Sequence, residues 1–175
     1  MIKYEKINSE KAGELFLELG DLLQACVRDG ASVGFTDPED RQAIDSFWRD
    51  KINSLSTHDS ELLIALEQGL LAATVIINYS GMPNGRHRAE ISKLLVHPKS
   101  RRQGIATRLM NQAEQIASKK GISLLVLDTR SGDVASDLYL SLDWQVAGSI
   151  PFYAKSVDNT LDTTTYMYKI NKIDN

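Results

Sequence analysis

The stretch Leu94-Leu95-Val96-His97-Pro98-Lys99-Ser100-Arg101-Arg102-Gln103-Gly104-Ile105-Ala106 decides the fold. A strand from about Arg88 ends at Val96, a short basic loop follows, and a helix opens with Gly104 in its first turn. That helix is expected from about Gln103 to Lys120, with Ile105, Leu109, Ala113, Ile116 and Ala117 on its apolar side. Lys119-Lys120 and then Gly121 suit its C-terminus. Unpaired N–H groups at a helix start, together with the positive end of the dipole, make an anion site. A glycine there lets a phosphate reach the main chain with no β-carbon in the way. Arg101 and Arg102 add two positive charges, and no acidic residue lies between Lys99 and Arg108. The alternative is that Gly104 only eases the helix start and the arginines are solvated; spacing alone leaves both open. Neither of the two glycine-rich nucleotide loops, G-x-x-x-x-G-K-[ST] and G-x-G-x-x-G, occurs.

On the N-terminal side, residues 2–7 suit a first strand. A helix is expected from about Glu10 to Val27, where Ala12, Leu15, Phe16, Leu19, Leu22, Leu23 and Ala25 recur at helical spacing, and Gly30 stops it. A second helix is expected after Asp37-Pro38, with Asp37 as cap and Pro38 at the first helical position. Strands near 60–67 and 70–78 are joined by Glu67-Gln68-Gly69, and 80–87 reads as a loop. On the C-terminal side, 122–127 lacks clean alternation, as a strand covered on both faces would. Val134, Leu138 and Leu142 mark a short helix, and strands are expected near 144–150 and 163–170. The order predicts one α/β (α+β) domain over residues 1–175. Its sheet is mixed but mostly antiparallel, with about six or seven strands flanked by about four helices.

Composition agrees with one globular domain: 175 residues, 42% hydrophobic and 25% charged, enough for a sizeable core without disulfides or metals. A net charge of −3 argues against a nucleic-acid partner. Cys26 is alone, so no internal disulfide forms and it reads as a buried thiol. The N-terminus lacks a signal-peptide pattern, and apolar runs fall far below the ~18 residues of a membrane span, so a cytoplasmic protein without membrane partners is expected. His58, His87 and His97 share no metal-ligand spacing, and no metal is expected. Gly30-Ala31-Ser32-Val33-Gly34 fits the G-x-S-x-G of hydrolases, but that elbow needs a strand before it, and here a helix precedes.

The segment Leu94 to Ala106 resembles the hallmark of the GNAT superfamily of N-acetyltransferases, R/Q-x-x-G-x-G/A after a strand ending in Val, with Arg101, Gly104 and Ala106 at the signature positions. The element order is similar over nearly the whole chain. The resemblance implies acetyl-CoA as co-substrate, its pyrophosphate held by the main-chain amides of Arg102, Gln103, Gly104, Ile105, Ala106 and Thr107. The pantetheine arm would pair with the backbone of Leu94, Leu95 and Val96. Further segments are similar to those of tabtoxin-resistance acetyltransferases: Gly30 to Phe35, Pro83-Asn84-Gly85 with Arg88-Ala89-Glu90, Leu127-Asp128-Thr129, Tyr139 and Pro151-Phe152-Tyr153.

Acetyl transfer to an amine needs a base for the amine and is helped by an acid for the leaving thiolate. Asp128, after the apolar 122–127, leaves the sheet where ligands collect in such folds; the alternative is a turn aspartate. Glu90 is expected on one strand face with Ser92, Leu94 and Val96, and an ordinary cross-strand ion pair is its alternative. It lies roughly 13 Å along the strand from Leu94, so contact with the reacting centre needs a bulge or a water relay. Tyr139 is either core packing or, as the resemblance implies, the acid beside the coenzyme sulfur. Many superfamily members carry a coenzyme-contacting asparagine seven residues earlier; here that position is Gly132, and the contact is not transferred. Glu90 and Asp128 are thus the expected base or amine-orienting groups, with Tyr139 as acid. Ser32 and Phe35, in the loop between the first two helices, are the expected substrate wall. The expected acceptor is a small-molecule amine, amino-acid-like or β-lactam-like. Peptide or protein acetylation and a non-catalytic acyl-CoA sensor are the alternatives, and a homodimer is left open.

Overall fold

Among the described residues seven strands and five helices follow one another as β1 (Ile2–Ile7), α1 (Ser9–Glu14), α2 (Phe16–Arg28), α3 (Arg41–Ser56), β2 (Ser60–Glu67), β3 (Leu70–Tyr79), β4 (Arg88–Val96), α4 (Ile105–Lys119), β5 (Leu124–Arg130), α5 (Val134–Ser141), β6 (Gln145–Lys155) and β7 (Leu161–Ile170). The computed structural model describes residues 1–172; the last three positions of the expected 1–175 domain lie outside the described residues.

All seven strands join one sheet in the order β1-β2-β3-β4-β5-β7-β6. Only β4 and β5 run parallel, because α4 carries the chain back to the starting end of the sheet between them. Gln68 and Gly69, with φ of 53° and 84°, form the two-residue hairpin between β2 and β3. Each face of the sheet is covered by helix. On one side Ile105, Leu109, Met110, Ala113 and Ala117 of α4 pack on Val75, Ile77, Ile91, Leu125 and Leu127. On the other, Leu19, Leu22, Leu23, Ile44 and Trp48 of α2 and α3 pack on Leu62, Ile64, Ile76 and Leu95. One buried carboxylate pins the C-terminal strands to α4: Glu114 accepts the Trp144 indole N–H at 2.8 Å and Lys169 Nζ at 2.6 Å.

Four local expectations change. The helix expected from Glu10 to Val27 breaks at Leu15 (φ −91°, ψ 11°), with Gly13 offering little resistance to the bend, and this brings the helix count to five. The next helix starts at Arg41, not after Asp37. Asp40 is its cap, accepting the Ala43 N–H at 3.0 Å, while Asp37 accepts from Glu39 in the preceding turn. Strand β5 does alternate: Leu125 and Leu127 are buried toward α4, whereas Asp128 is exposed, so the strand is not sealed on both faces. The face expected to hold Glu90, Ser92, Leu94 and Val96 is split by a bulge. Between the pairs Ile76–Ser92 and Thr74–Leu95 β4 has one residue too many, and Lys93 absorbs it at φ 49°. Leu94 and Val96 therefore pack toward α4, and Leu95 toward α2 and α3.

Asp40→Ala is expected to lower unfolding stability by about 1 kcal/mol, the usual cost of a lost cap. Asp37→Ala should cost less, and urea denaturation of both variants compares the two caps directly.

Candidate active site

Strands β4 and β5 pair only at Arg88–Leu124, Ala89–Leu125 and Glu90–Val126, and beyond that point they part. The gap between them continues into a groove of about 670 Å³. Leu94, Leu95 and Val96 line one wall, Arg130, Asp133, Val134, Ala135 and Leu138 the other, and the start of α4 closes one end.

At that end the chain leaves β4 through a 3₁₀ turn, Pro98–Ser100, and enters α4 through Gly104 at φ 74° and ψ 10°. A β-carbon built on Gly104 would meet nothing within 4 Å, so the space beside this backbone is open to a ligand. The first amides of α4 have no helical carbonyl to bond. The turn is held from behind by Glu67 of β2, which accepts Ser100 Oγ at 2.6 Å and Gln103 Nε2 at 3.1 Å. The two arginines differ. Arg101 is engaged: it pairs with Asp29 just after α2 and donates through Nε to the Val96 carbonyl at 3.3 Å. Arg102 is exposed and enters no ion pair among the described residues. Cys26 Sγ also donates to the Val96 carbonyl, at 3.6 Å, and burial pushes its thiol up to about 11, so it stays protonated and unreactive at neutral pH.

At the mouth of the gap stand both expected carboxylates. Glu90 is the cross-strand neighbour of Asn78, whose Oδ1 accepts Lys51 Nζ of α3 at 2.6 Å, so Glu90 looks toward α3. Asp128 points the same way, opposite in phase to Leu125 and Leu127, and accepts Thr164 Oγ1 at 2.8 Å. Partial desolvation and the nearby Asp128 charge raise the Glu90 carboxyl above the usual range, against the pull of Lys93 and Lys51. Tyr139 of α5 is buried against Trp144, with ring centroids 6.0 Å apart. Its burial and, after that, Asp128 push the phenol up to about 12. Glu90 is thus a carboxylate disposed to take a proton and Tyr139 a phenol that keeps one at neutral pH, and the Asp128 charge acts on both.

Residues 21–144 match the model of the acetyltransferase (GNAT) family. The chain belongs to the GNAT acetyltransferase family. The fold is shared with solved structures at low identity. An N-acetyltransferase from Staphylococcus aureus Mu50 is 15% identical with a TM-score of 0.81, covering 98% of this chain and 99% of that one. YncA of Salmonella typhimurium, solved with its cofactor acetyl-CoA, is 15% identical with a TM-score of 0.78 over 100% and 96%. A GNAT superfamily phosphinothricin acetyltransferase from Sinorhizobium meliloti, in complex with acetyl-CoA, is 12% identical with a TM-score of 0.80 over 97% and 88%.

In this GNAT chain Glu90 stands at the last β4–β5 pair, Asp128 two residues beyond Val126 on the facing strand, and Tyr139 within reach of the Asp128 charge, while most of the phosphate-turn candidates line the end of the groove. Thr107, Ala106 and Ile105 line that end; Gln103 instead turns back to Glu67. Phe35 packs edge-on against Phe47 of α3 at 5.9 Å, which puts the α2–α3 loop beside Lys93, whereas Ser32 is only partly buried in that loop. Arg130 ties the loop to β5 by donating to the Gly30 carbonyl at 3.1 Å. Sequence reasoning missed Thr164, Arg130 and Lys93. A signal existed for Lys93 alone, since it occupies the apolar phase Ala89, Ile91, Leu95 and a lysine there marks a break in the pleat.

Asp128→Asn removes a negative neighbour, so the Glu90 carboxyl is expected to titrate at lower pH in that variant, though still above an ordinary glutamate because desolvation remains. Carboxyl-carbon NMR titration measures the shift, and an unmoved Glu90 would break the coupling.

Proposed function

We propose that this chain transfers the acetyl group of acetyl-CoA to the amine of a small, amino-acid-like molecule. The observation that carries the reading is one groove that runs from the open start of α4 along the free flank of β4, with Glu90 at the last paired position of β4 and β5, where the gap begins. Acetyl-CoA, when bound, supplies an acetyl group activated as a thioester. The open backbone at Gly104, the first amides of α4 and the exposed Arg102 fit its phosphates, and the free flank of β4 fits its extended arm. Glu90, directly or through one water, takes the proton lost by the acceptor amine as its nitrogen bonds to the acyl carbon. Asp128, fixed by Thr164, orients the amine and keeps Glu90 basic. As the carbon–sulfur bond breaks, the Tyr139 hydroxyl delivers a proton to the sulfur.

A small acceptor is favoured by the tethered start of the α2–α3 loop, which Arg130 and Arg101 tie to β5 and to the end of β4. The likeness of Gly30–Phe35, Asp128 and Tyr139 to tabtoxin-resistance acetyltransferases supports the same acceptor class, and so does the phosphinothricin acetyltransferase among the structural neighbours. Peptide acetylation is the second reading, since a ribosomal-protein-alanine N-acetyltransferase from Brucella melitensis shares the fold with a TM-score of 0.76.

Gly104→Val should weaken acetyl-CoA binding by about tenfold or more, because a branched residue is strained at this φ and fills the phosphate space. Unchanged affinity by calorimetry would falsify the phosphate turn. Tyr139→Phe should lower kcat by about 100-fold, the scale of a lost general acid, with acetyl-CoA affinity retained; matched losses in both would mean packing. If Glu90 is the base, kcat/KM rises with pH through its titration. Asp128→Asn should then carry that acid limb to lower pH.

A further inference from the structure

We propose that Lys93 holds the carboxylate of the acceptor, so that the substrate class is a zwitterionic amine, an amino acid or small amino-acid-like molecule with a free acid group. This rests on the transferase reading above and adds the group that selects the acceptor.

Lys93 sits at the bulge of β4 with φ 49°, a conformation disfavoured for any residue with a β-carbon, where glycine or asparagine would fit with less strain. Its Nζ lies 4.9 Å from the centre of the Phe47 ring, and a β-carbon at Gly34 would be 3.9 Å from it. The ammonium is therefore boxed between an aromatic face of α3 and the α2–α3 loop. Among the described residues it enters no ion pair. Lys51 beside it differs, being spent on Asn78 at 2.6 Å. A half-buried ammonium with no fixed counter-ion is costly to keep, and the cost is relieved by an anion that arrives from outside. Desolvation and then the neighbouring Lys51 charge lower its titration, and the weaker pull of Glu90 and Asp128 does not offset them.

That anion is not the pyrophosphate of acetyl-CoA. Lys93 is four residues before His97, roughly 13 Å along the strand, and the phosphate turn lies further on. The residue after Lys93, Leu94, already lines the groove, and Glu90 and Asp128 act on the Lys93 charge from the same mouth. Two carboxylates for an ammonium and one free ammonium for a carboxylate complement a zwitterion better than a simple amine or a neutral peptide N-terminus.

The test compares the protein amino acids with their α-carboxamides as acceptors, reading thiol release from acetyl-CoA for the wild-type chain, Lys93→Met and Lys93→Arg. Acids should be preferred by the wild type. In Lys93→Met the ratio of acid to carboxamide kcat/KM should fall about 10- to 100-fold, through KM for the acid, the scale of a charge-assisted hydrogen bond. Lys93→Arg should recover part of it. Calorimetry with acetyl-CoA alone separates the two levels: lost donor binding in the wild type sinks the transferase reading and the inference with it. With donor binding intact, the role of Lys93 alone is overturned if carboxamides are acetylated as well as acids or better, or if Lys93→Met lowers acids and carboxamides equally; donor binding with no acceptor turned over sinks the transferase reading itself.

Discussion

The parting of β4 from β5 after Glu90 and Val126 is the constraint on which the rest depends. An open flank in the middle of a sheet exposes backbone groups that water or a ligand must satisfy. Here the gap is tolerable because each strand keeps its other neighbour. β4 stays paired to β3 up to Val96, and β5 stays paired to β7 through Arg130. The sheet therefore opens without losing an edge strand. The one parallel pair among the described residues is the one that opens, and α4, which makes that pair possible, presents its N-terminus to the same opening. The crossover that sets the topology thus also brings a helix N-terminus, with its unpaired amides, to the end of the groove.

The bulge at Lys93 is the second device. Without it, Glu90 and Leu94 would share a face, and strict alternation would send the groove lining and the carboxylate to the same side. With it, Glu90 looks toward α3 while Leu94 and Val96 turn toward α4. One extra residue, held at a positive φ, separates an apolar channel from a charged mouth within seven residues of chain, Glu90 to Val96. The bulge is one of the two features that contact between Glu90 and the reacting centre would need, since it bends the path that an ideal strand would keep straight.

Much of this was legible from residue patterns, because the deciding signals are local. The strand–glycine–helix segment, the hairpin at Gln68-Gly69 and the 3.6-residue periodicity of α4 depend on neighbours in sequence. The errors fell where tertiary context wins. Leu15 fits a continuous helical stripe, yet the chain turns there. Asp37 and Asp40 are both good caps by type, and only packing chose Asp40. At the site, Glu90 and Asp128 are findable as acids at strand positions, whereas Thr164 and Arg130 matter through partners 36 and 100 residues away, for which a single sequence holds no signal.

The same distant pairings redefine the signature arginine. From spacing, Arg101 and Arg102 are equivalent charges beside a phosphate; in the fold Arg101 pairs with Asp29 and bonds the Val96 carbonyl, the last residue of β4. An exposed ion pair contributes little by itself. Joined to the Arg130–Gly30 bond on the far side, however, it fixes the α2–α3 loop to both strands that flank the gap. Gly30 can take this place because it ends α2 at φ 86°, its N–H on the Val27 carbonyl and that of Ala31 on Cys26, a closure that turns the loop back over the sheet. Arg101 is thus engaged in holding the loop to the end of β4, while Arg102 stays exposed beside the first amides of α4. Two adjacent arginines therefore differ in what they can do: one ties loop to strand, and the other is left open to whatever enters the end of the groove.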